Sequence, residues 1–327
     1  MELRDLVESL DQETKQNIVD MSQDSNPVAV VDMSYQLYRY YFALSQLSVN
    51  INGMNIPTGH MTGFLSLVMK LYEEGYSGII ICVDGYDETR KSLNPDYRTG
   101  RSSDRYNVHN DVDDILCMSS LLPNVYVCRD SGKEADDLIY SCSKLLNYLF
   151  GKNELYGKYV HIFGNDRDLY QTIQDGIYMI KDTKSMKEIT EEDVIEEFKG
   201  VPPECLAMYR AIVGDSSDNL SGYYRFPKKM ASFISRNCVI SDSEIRIKEG
   251  VDLVGVLNVK KYVQIINSDY DKFWTNYQIM KLGVFPFKIQ RPDSTKARYL
   301  LEKYRQNKFY KKCIGINQEW GLGNASK

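Results

Sequence analysis

Nine carboxylates in this chain stand where a strand ends or a helix begins. Asp32 closes VAVVD, Asp84 closes IIICVD, and Asp166 and Asp168 follow YVHIFG in GNDRD. Glu134, Asp136 and Asp137 open EADDLI, and Asp215 and Asp218 lie in GDSSDN. Carboxylates crowded at one place raise one another's pKa unless cations sit among them. Hard oxygen donors without His or Cys select Mg²⁺ or Mn²⁺, and nine exceed the needs of one octahedral ion that keeps several waters, so two ions are implied. A pair of metals about 3.5–4 Å apart can activate water and stabilise both the attacking and the leaving oxygens of a phosphodiester displacement.

Each acid also has a local explanation. Ser131-x-x-Glu134 fits a capping box, acids favour the first turn of any helix, Asp84-Gly85 fits a turn, and Asp215 and Asp218 fit loop caps. On an established helix Glu134 and Asp137 share a face while Asp136 points elsewhere, so all three converge only at a helix tip. Their conjunction in chain order, all at element ends, favours a common site. The three histidines (60, 109, 161) are scattered and the seven cysteines form no CxxC pair. That pattern excludes His-based zinc sites, disfavours a Ser-His or Cys-His nucleophile, and fits a reducing compartment.

The net charge of −5 changes sign once the nine candidate ligands are set aside, −5 + 9 = +4. Five basic residues fall between 90 and 105 (Arg90, Lys91, Arg98, Arg101, Arg105) against Asp96 and Asp104. Four more (Arg225, Lys228, Lys229, Arg236) fall between 225 and 236 with no acid. Such segments suit phosphate contacts, although a solvated loop or helix face has the same composition.

The elements that must position these groups read as an α/β fold with a mainly parallel sheet flanked by helices. β-branched runs at Val28–Val31, Ile79–Val83, Val125–Val127, Tyr159–Phe163 and Ile177–Ile180 alternate with helical segments. Residues 135–149 carry an i, i+3, i+4, i+7 apolar stripe that packs a helix on the sheet. In such sheets ligands bind at the carboxyl ends of the strands, where the acids fall. Residues 1–26 read as a polar helical extension, 27–189 as the α/β core, and 190–327 as a mostly helical lobe with a basic tail. Between Lys288 and Lys312 nine basic residues face Asp293 and Glu302, and Ala297, Leu300, Leu301 and Tyr304 form a stripe expected to dock that tail. The longest apolar run is far below the roughly 20 residues that cross a bilayer, and the charged N-terminus is unlike a signal peptide. A soluble, cytoplasmic, unsecreted protein with no membrane partner is expected.

The motifs VVDMSYQLYR, VDGYDETR with PDYRTGR, EADDLI, GNDRDLYQ and GVPPECLAMYRAIVGDSSDN resemble, in family order over residues 28–236, the 5′ nuclease superfamily. That superfamily includes flap endonucleases, the 5′-3′ exonuclease domains of bacterial polymerases, and phage exonucleases and ribonucleases H; the N-terminal extension and length most resemble the phage ribonuclease H type. The resemblance implies that the nine carboxylates hold two metal ions. It places Arg90, Arg98 and Arg101 at a basic gateway under a helical arch at about 88–120, makes 190–327 a duplex-binding lobe, and sets Arg225, Lys228, Lys229 and Arg236, with Arg105, at DNA. It also implies a monomeric 5′-3′ exonuclease and flap endonuclease of replication or repair, leaving a 5′ phosphate and also removing RNA primers. Its substrates would be flapped or nicked DNA and RNA–DNA hybrids, with a single-strand-binding protein or sliding clamp as a further partner. Three departures stand out: Arg98 where many members have Lys, Gly222–Pro227 in place of GVxGIG, and only 49 residues between Asp84 and Glu134, which shortens the arch. Two rivals explain less: a haloacid-dehalogenase-type phosphatase using Asp166-x-Asp168, and a non-catalytic junction binder.

Overall fold

A computed structural model describes residues 1–99, 106–151, 158–252 and 258–319. Seven strands form one sheet: β1 (Val28–Asp32), β2 (Gly78–Val83), β3 (Val125–Arg129), β4 (Val160–Phe163), β5 (Ile177–Asp182), β6 (Lys187–Ile189) and β7 (Ile289–Gln290), in the order β7-β3-β2-β1-β4-β5-β6. The five strands legible in the sequence pair in parallel, with β1 between β2 and β4. β6 and β7, too short to show a pattern of alternation, close the edges antiparallel.

β1 is buried along its whole length because both faces are covered, and its residues alternate between two cores. Val28 and Val30 face one cluster with Leu138, Ile139, Cys142, Leu145 and Leu146 of the Ala135–Phe150 helix. Ala29 and Val31 face the other, with the Met33–Ala43, Gly59–Glu73 and Val112–Ser119 helices. The apolar stripe read at 135–149 is therefore the sheet-facing side of that helix.

Residues 1–26 are not a polar extension. They form two helices, Leu3–Ser9 and Gln12–Met21, the second capped by Asp11, which accepts from Thr14 N at 2.8 Å. Leu6, Leu10, Ile18 and Met21 enter the core, and a Cβ on Gly78 would lie only 2.2 Å from Met21 Sδ, so β2 starts on a glycine that admits this methionine. Asn17 Nδ2 donates to Ile289 O at 2.8 Å and Ile289 N to Thr14 Oγ1 at 3.0 Å, which joins both ends of the chain to one sheet edge. The helices were expected, but their burial was not, because the few apolar side chains that reach the core are spread through a mostly polar segment.

Beyond residue 190 the chain is mostly helical, with a small Cys238–Ser241/Glu244–Ile247 hairpin. The tail returns to the core: Ala297, Leu300, Leu301 and Tyr304 are buried, and Tyr304 OH donates to Asp114 at 2.7 Å. Among the described residues no helix is long and apolar enough to cross a membrane.

Met21→Ala should cost about 2–5 kcal/mol of unfolding free energy in a urea titration, whereas Glu13→Ala on the exposed face of the same helix should change it by less than about 0.5 kcal/mol. Equal effects would mean that the N-terminal helices do not share the core.

Candidate active site

Asp32 ends β1, Asp84 follows β2, and Asp166 follows β4, so three adjacent parallel strands deliver carboxylates to one edge. Asp136, in the first turn of the Ala135–Phe150 helix, joins them in lining a cleft of about 570 Å³ whose wall includes Tyr35, Tyr38 and Phe42. Backbone donors fix the acids. Asp32 accepts from Tyr35 N (3.0 Å), Asp84 from Ala135 N (2.8 Å) and Asp166 from Asp168 N (2.9 Å), while Ser34 Oγ donates to the second Asp84 oxygen. Each acid thus ends one element while capping or bracing the next.

A second group adjoins the first. One oxygen each from Asp168, Asp215 and Asp218 lie within 4.8 Å of one another, at the mouth of a neighbouring cleft of about 550 Å³ lined by Arg167, Ser216, Ser217 and Lys228.

Burial and like charge act on the whole set. Burial, then the charges of Asp84 and Asp166, push Asp32 up to about 7. Burial, then Asp166 and Asp32, push Asp136 well above the usual carboxylate range. Burial raises Asp168 to about 6, with Asp166 and Asp218 adding to it against the pull of Arg210. Among the described residues no guanidinium or ammonium group pairs with Asp32, Asp84 or Asp166. An all-oxygen donor set with unrelieved repulsion fits hard divalent cations.

Arginines brace the remainder. Arg90 is only 6% exposed and reaches both Glu134 and, at 2.9 Å, Asp137, with Tyr97 OH donating to Glu134 at 3.2 Å. Arg90, expected at the basic gateway, is held inside by these two carboxylates, and burial raises Asp137 to about 6 against the pull of that arginine. Glu134 occupies the helix N-cap and makes no capping bond, so the Ser131-x-x-Glu134 box does not form. The predicted split at the helix tip is observed, with Glu134 and Asp137 on Arg90 and Asp136 in the cleft.

Arg98 does line the cleft. Its Nη1 lies 3.0 Å from Glu134, its Nε 3.3 Å from Asp218 and its Nη2 4.0 Å from Asp136. Its backbone is left-handed (φ 54), a costly conformation for a non-glycine residue, and Asn219 fixes the same turn by donating to Thr99 O (2.9 Å) and Asp96 O (3.1 Å). Arg101 and Arg105 lie outside the described residues.

Of Arg225, Lys228, Lys229 and Arg236, Lys228 lines the second cleft together with Asp166 and Asp215. Lys228 and Lys229 open the Lys228–Asn237 helix, Arg225 stacks its guanidinium 5.1 Å from the Tyr224 ring centre, and Arg236 Nε donates to Ser232 O within its own helix. Sequence reasoning missed Arg210, which pairs with Asp168 at 2.5 Å and with Asp215. Its signal was a basic residue in the last helical turn before GDSSDN. Ser34, Tyr97 and Asn219 were also missed, and no spacing marks them.

The profile of the family described as 5′-3′ exonuclease, N-terminal resolvase-like domain, matches residues 27–199. The chain belongs to this 5′-3′ exonuclease family. It is therefore an enzyme, a nuclease of the hydrolase class. It is 29% identical over 283 residues to a 5′-3′ exonuclease of Buchnera aphidicola subsp. Schizaphis graminum (85% of this chain, 93% of that protein). It is 27% identical over 291 residues to one of Aquifex aeolicus (88% and 95%). The fold is shared with the bacteriophage T5 flap endonuclease in a pseudo-enzyme–product complex with DNA and metal ions, at a TM-score of 0.53 and 18% identity over 90% of this chain and all (100%) of that one. The phosphatase rival fails, since the family differs and Asp168 is tied to Arg210.

The raised carboxylates set a pH dependence. Without metal, Asp32, Asp136, Asp137 and Asp168 hold protons more tightly folded than unfolded, so they lower stability as pH rises through about 4–7. A divalent cation that binds the ionised acids removes this loss. Adding Mg²⁺ should raise the melting temperature more at pH 7.5 than at pH 5.5; equal shifts at both would show that the cation does not bind these carboxylates.

Proposed function

We propose that the protein is a two-metal, Mg²⁺- or Mn²⁺-dependent 5′-3′ exonuclease and flap endonuclease that also removes RNA primers during replication or repair, and that it leaves a 5′ phosphate. The observation that carries this reading is the meeting of two carboxylate groups at one sheet edge, one around Asp32, Asp84, Asp136 and Asp166 and the other around Asp168, Asp215 and Asp218. Each group would hold one divalent cation, and the pair, when bound, would supply Lewis acidity to a phosphodiester and its attacking water.

The chain's own residues do the rest. The Asp84 bond to Ala135 N fixes the first group on the helix tip, and the Arg90 pairs with Glu134 and Asp137 keep that tip from being pushed away by repulsion. Arg98 is the cation beside the scissile phosphate, where a fixed charge offsets the negative charge that develops in the transition state. Tyr35, Tyr38 and Phe42 give the cleft an aromatic wall on which unpaired bases of a 5′ strand stack. Lys228, Lys229 and Arg225 hold the duplex beyond the junction. The seven free cysteines suit a reducing, cytoplasmic setting.

Asp84→Asn or Asp166→Asn should abolish cleavage of a 5′-labelled flap substrate while leaving its binding intact or tighter, and full activity in either variant or in excess chelator would sink the two-metal reading. Arg98→Ala should slow single-turnover cleavage at least about tenfold and Arg98→Lys should recover much of it; a change confined to affinity would make Arg98 a phosphate anchor only. Replacing Lys228 and Lys229 together with alanine should weaken binding to flapped duplex far more than to single strands.

A further inference from the structure

Arg210 stands in the last turn of the Leu206–Val213 helix, with a side chain only 11% exposed. Nη1 lies 2.5 Å from Asp168 Oδ1 and Nη2 pairs with Asp215. These are two of the three acids whose oxygens fall within 4.8 Å of one another. The same side chain lines the 550 Å³ cleft, beside Arg167, Ser216, Ser217 and Lys228. One guanidinium group is therefore counter-ion to the second carboxylate group and part of the wall of a cleft in which three cations, Arg167, Arg210 and Lys228, face Asp166 and Asp215.

A divalent cation among Asp168, Asp215 and Asp218 would satisfy the charge that Arg210 satisfies now. The two cations would repel at close range in a partly dry site, where such interactions are strong. Arginine cannot relieve that repulsion by losing its proton. Its flexible stem lets it turn instead, and an anion entering the adjoining cleft, a phosphate of the substrate backbone, offers two oxygens that can accept the parallel N–H bonds of the planar guanidinium fork.

We propose that Arg210 is a positioning residue that exchanges Asp168 and Asp215 for a DNA phosphate when the second cation binds, so that metal loading and DNA binding tighten each other. The inference rests on the two-metal reading above. Linkage makes the coupling reciprocal: DNA that draws Arg210 off the carboxylates raises cation affinity by the same factor by which the cation raises DNA affinity.

The test is Mn²⁺ binding by the full chain without DNA, followed by electron paramagnetic resonance, for wild type, Arg210→Gln and Arg210→Lys. The wild type should show a tighter and a weaker class of site. Arg210→Gln leaves the carboxylates without their counter-ion, so the weaker class should tighten about tenfold. Arg210→Lys, which cannot bridge both acids as a fork, should fall between. The second measurement is affinity for a flapped duplex with phosphorothioate linkages at the junction, with and without Mn²⁺. Its gain on adding Mn²⁺ should be several-fold smaller in Arg210→Gln than in wild type, with Arg210→Lys again between. Should Arg210→Gln not fold, the lysine variant decides by the same two readouts. Unchanged or weaker Mn²⁺ binding in a folded variant, or an undiminished gain for DNA, would overturn the proposal. Absence of Mn²⁺ binding by the wild type would overturn the two-metal reading and this inference with it.

Discussion

Asp32 and Asp136 are buried beside Asp84, Asp166 and Asp168, and withdrawing charges from water costs several kcal/mol per ion unless partners compensate. Much of the surrounding structure answers that repulsion. Backbone N–H groups point at Asp32, Asp84 and Asp166, the Ala135–Phe150 helix offers the positive end of its dipole, and three arginines pair with Glu134, Asp137, Asp168, Asp215 and Asp218. Asp32, Asp84, Asp136 and Asp166 are the part of the set least relieved by the protein's own cations. A site arranged this way responds to charge: its repulsion is strongest with the carboxylates ionised and alone, and added positive charge would relieve it.

The arginines also tie the strand edge to the helical lobe. Arg98 belongs to the turn after the Glu88–Leu93 helix, yet its nearest acids come from the Ala135–Phe150 helix tip and from GDSSDN. Arg98 N donates to Asp218 O at 3.4 Å, and Asn219 binds the same turn from the other side. On the far side of residues 100–105, His60 Nε2 and Tyr106 OH converge on Asp111 at 2.9 and 2.6 Å. Both flanks of that segment are thus fixed by buried or partly buried polar contacts, and the left-handed backbone of Arg98 is held in place by them rather than by local preference.

The strands, the helix over 135–149 and the placing of Asp32, Asp84 and Asp166 at strand ends were legible because each leaves a periodic or terminal mark: β-branched runs, an apolar stripe, a carboxylate at or just beyond a strand end. What was not legible depends on distance in the chain. Asn17 and Ile289 are 272 residues apart, and β7 is two residues long, so neither the strand nor its anchor has a local pattern. Arg90 and Arg98 share a composition, and only the fold decides that one is enclosed by Glu134 and Asp137 while the other borders the cleft. Arg210 looked like an ordinary basic residue in a last helical turn, which the helix dipole alone would favour.

The segment Gly222–Pro227 makes its turn with a single glycine. Arg225 adopts φ 51, a conformation that glycine accepts freely and that costs an L-residue roughly 1–2 kcal/mol. Neighbouring contacts offset that cost. Tyr223 OH donates to Asp269 O at 2.6 Å, Phe226 packs edge-on against Tyr262 with ring centres 5.0 Å apart, and Gly222 remains where a Cβ would lie 2.1 Å from Val213 O. Gly222 stands at the one position of the segment where a side chain would collide with backbone, while the other positions carry side chains that anchor the turn or project from it. Tyr224, 84% exposed, and Arg225 project together, ring against guanidinium. With bulky residues on both sides of it, the turn presents side-chain charge rather than bare backbone amides, and side-chain cations act at longer reach and with less strict geometry than a backbone nest.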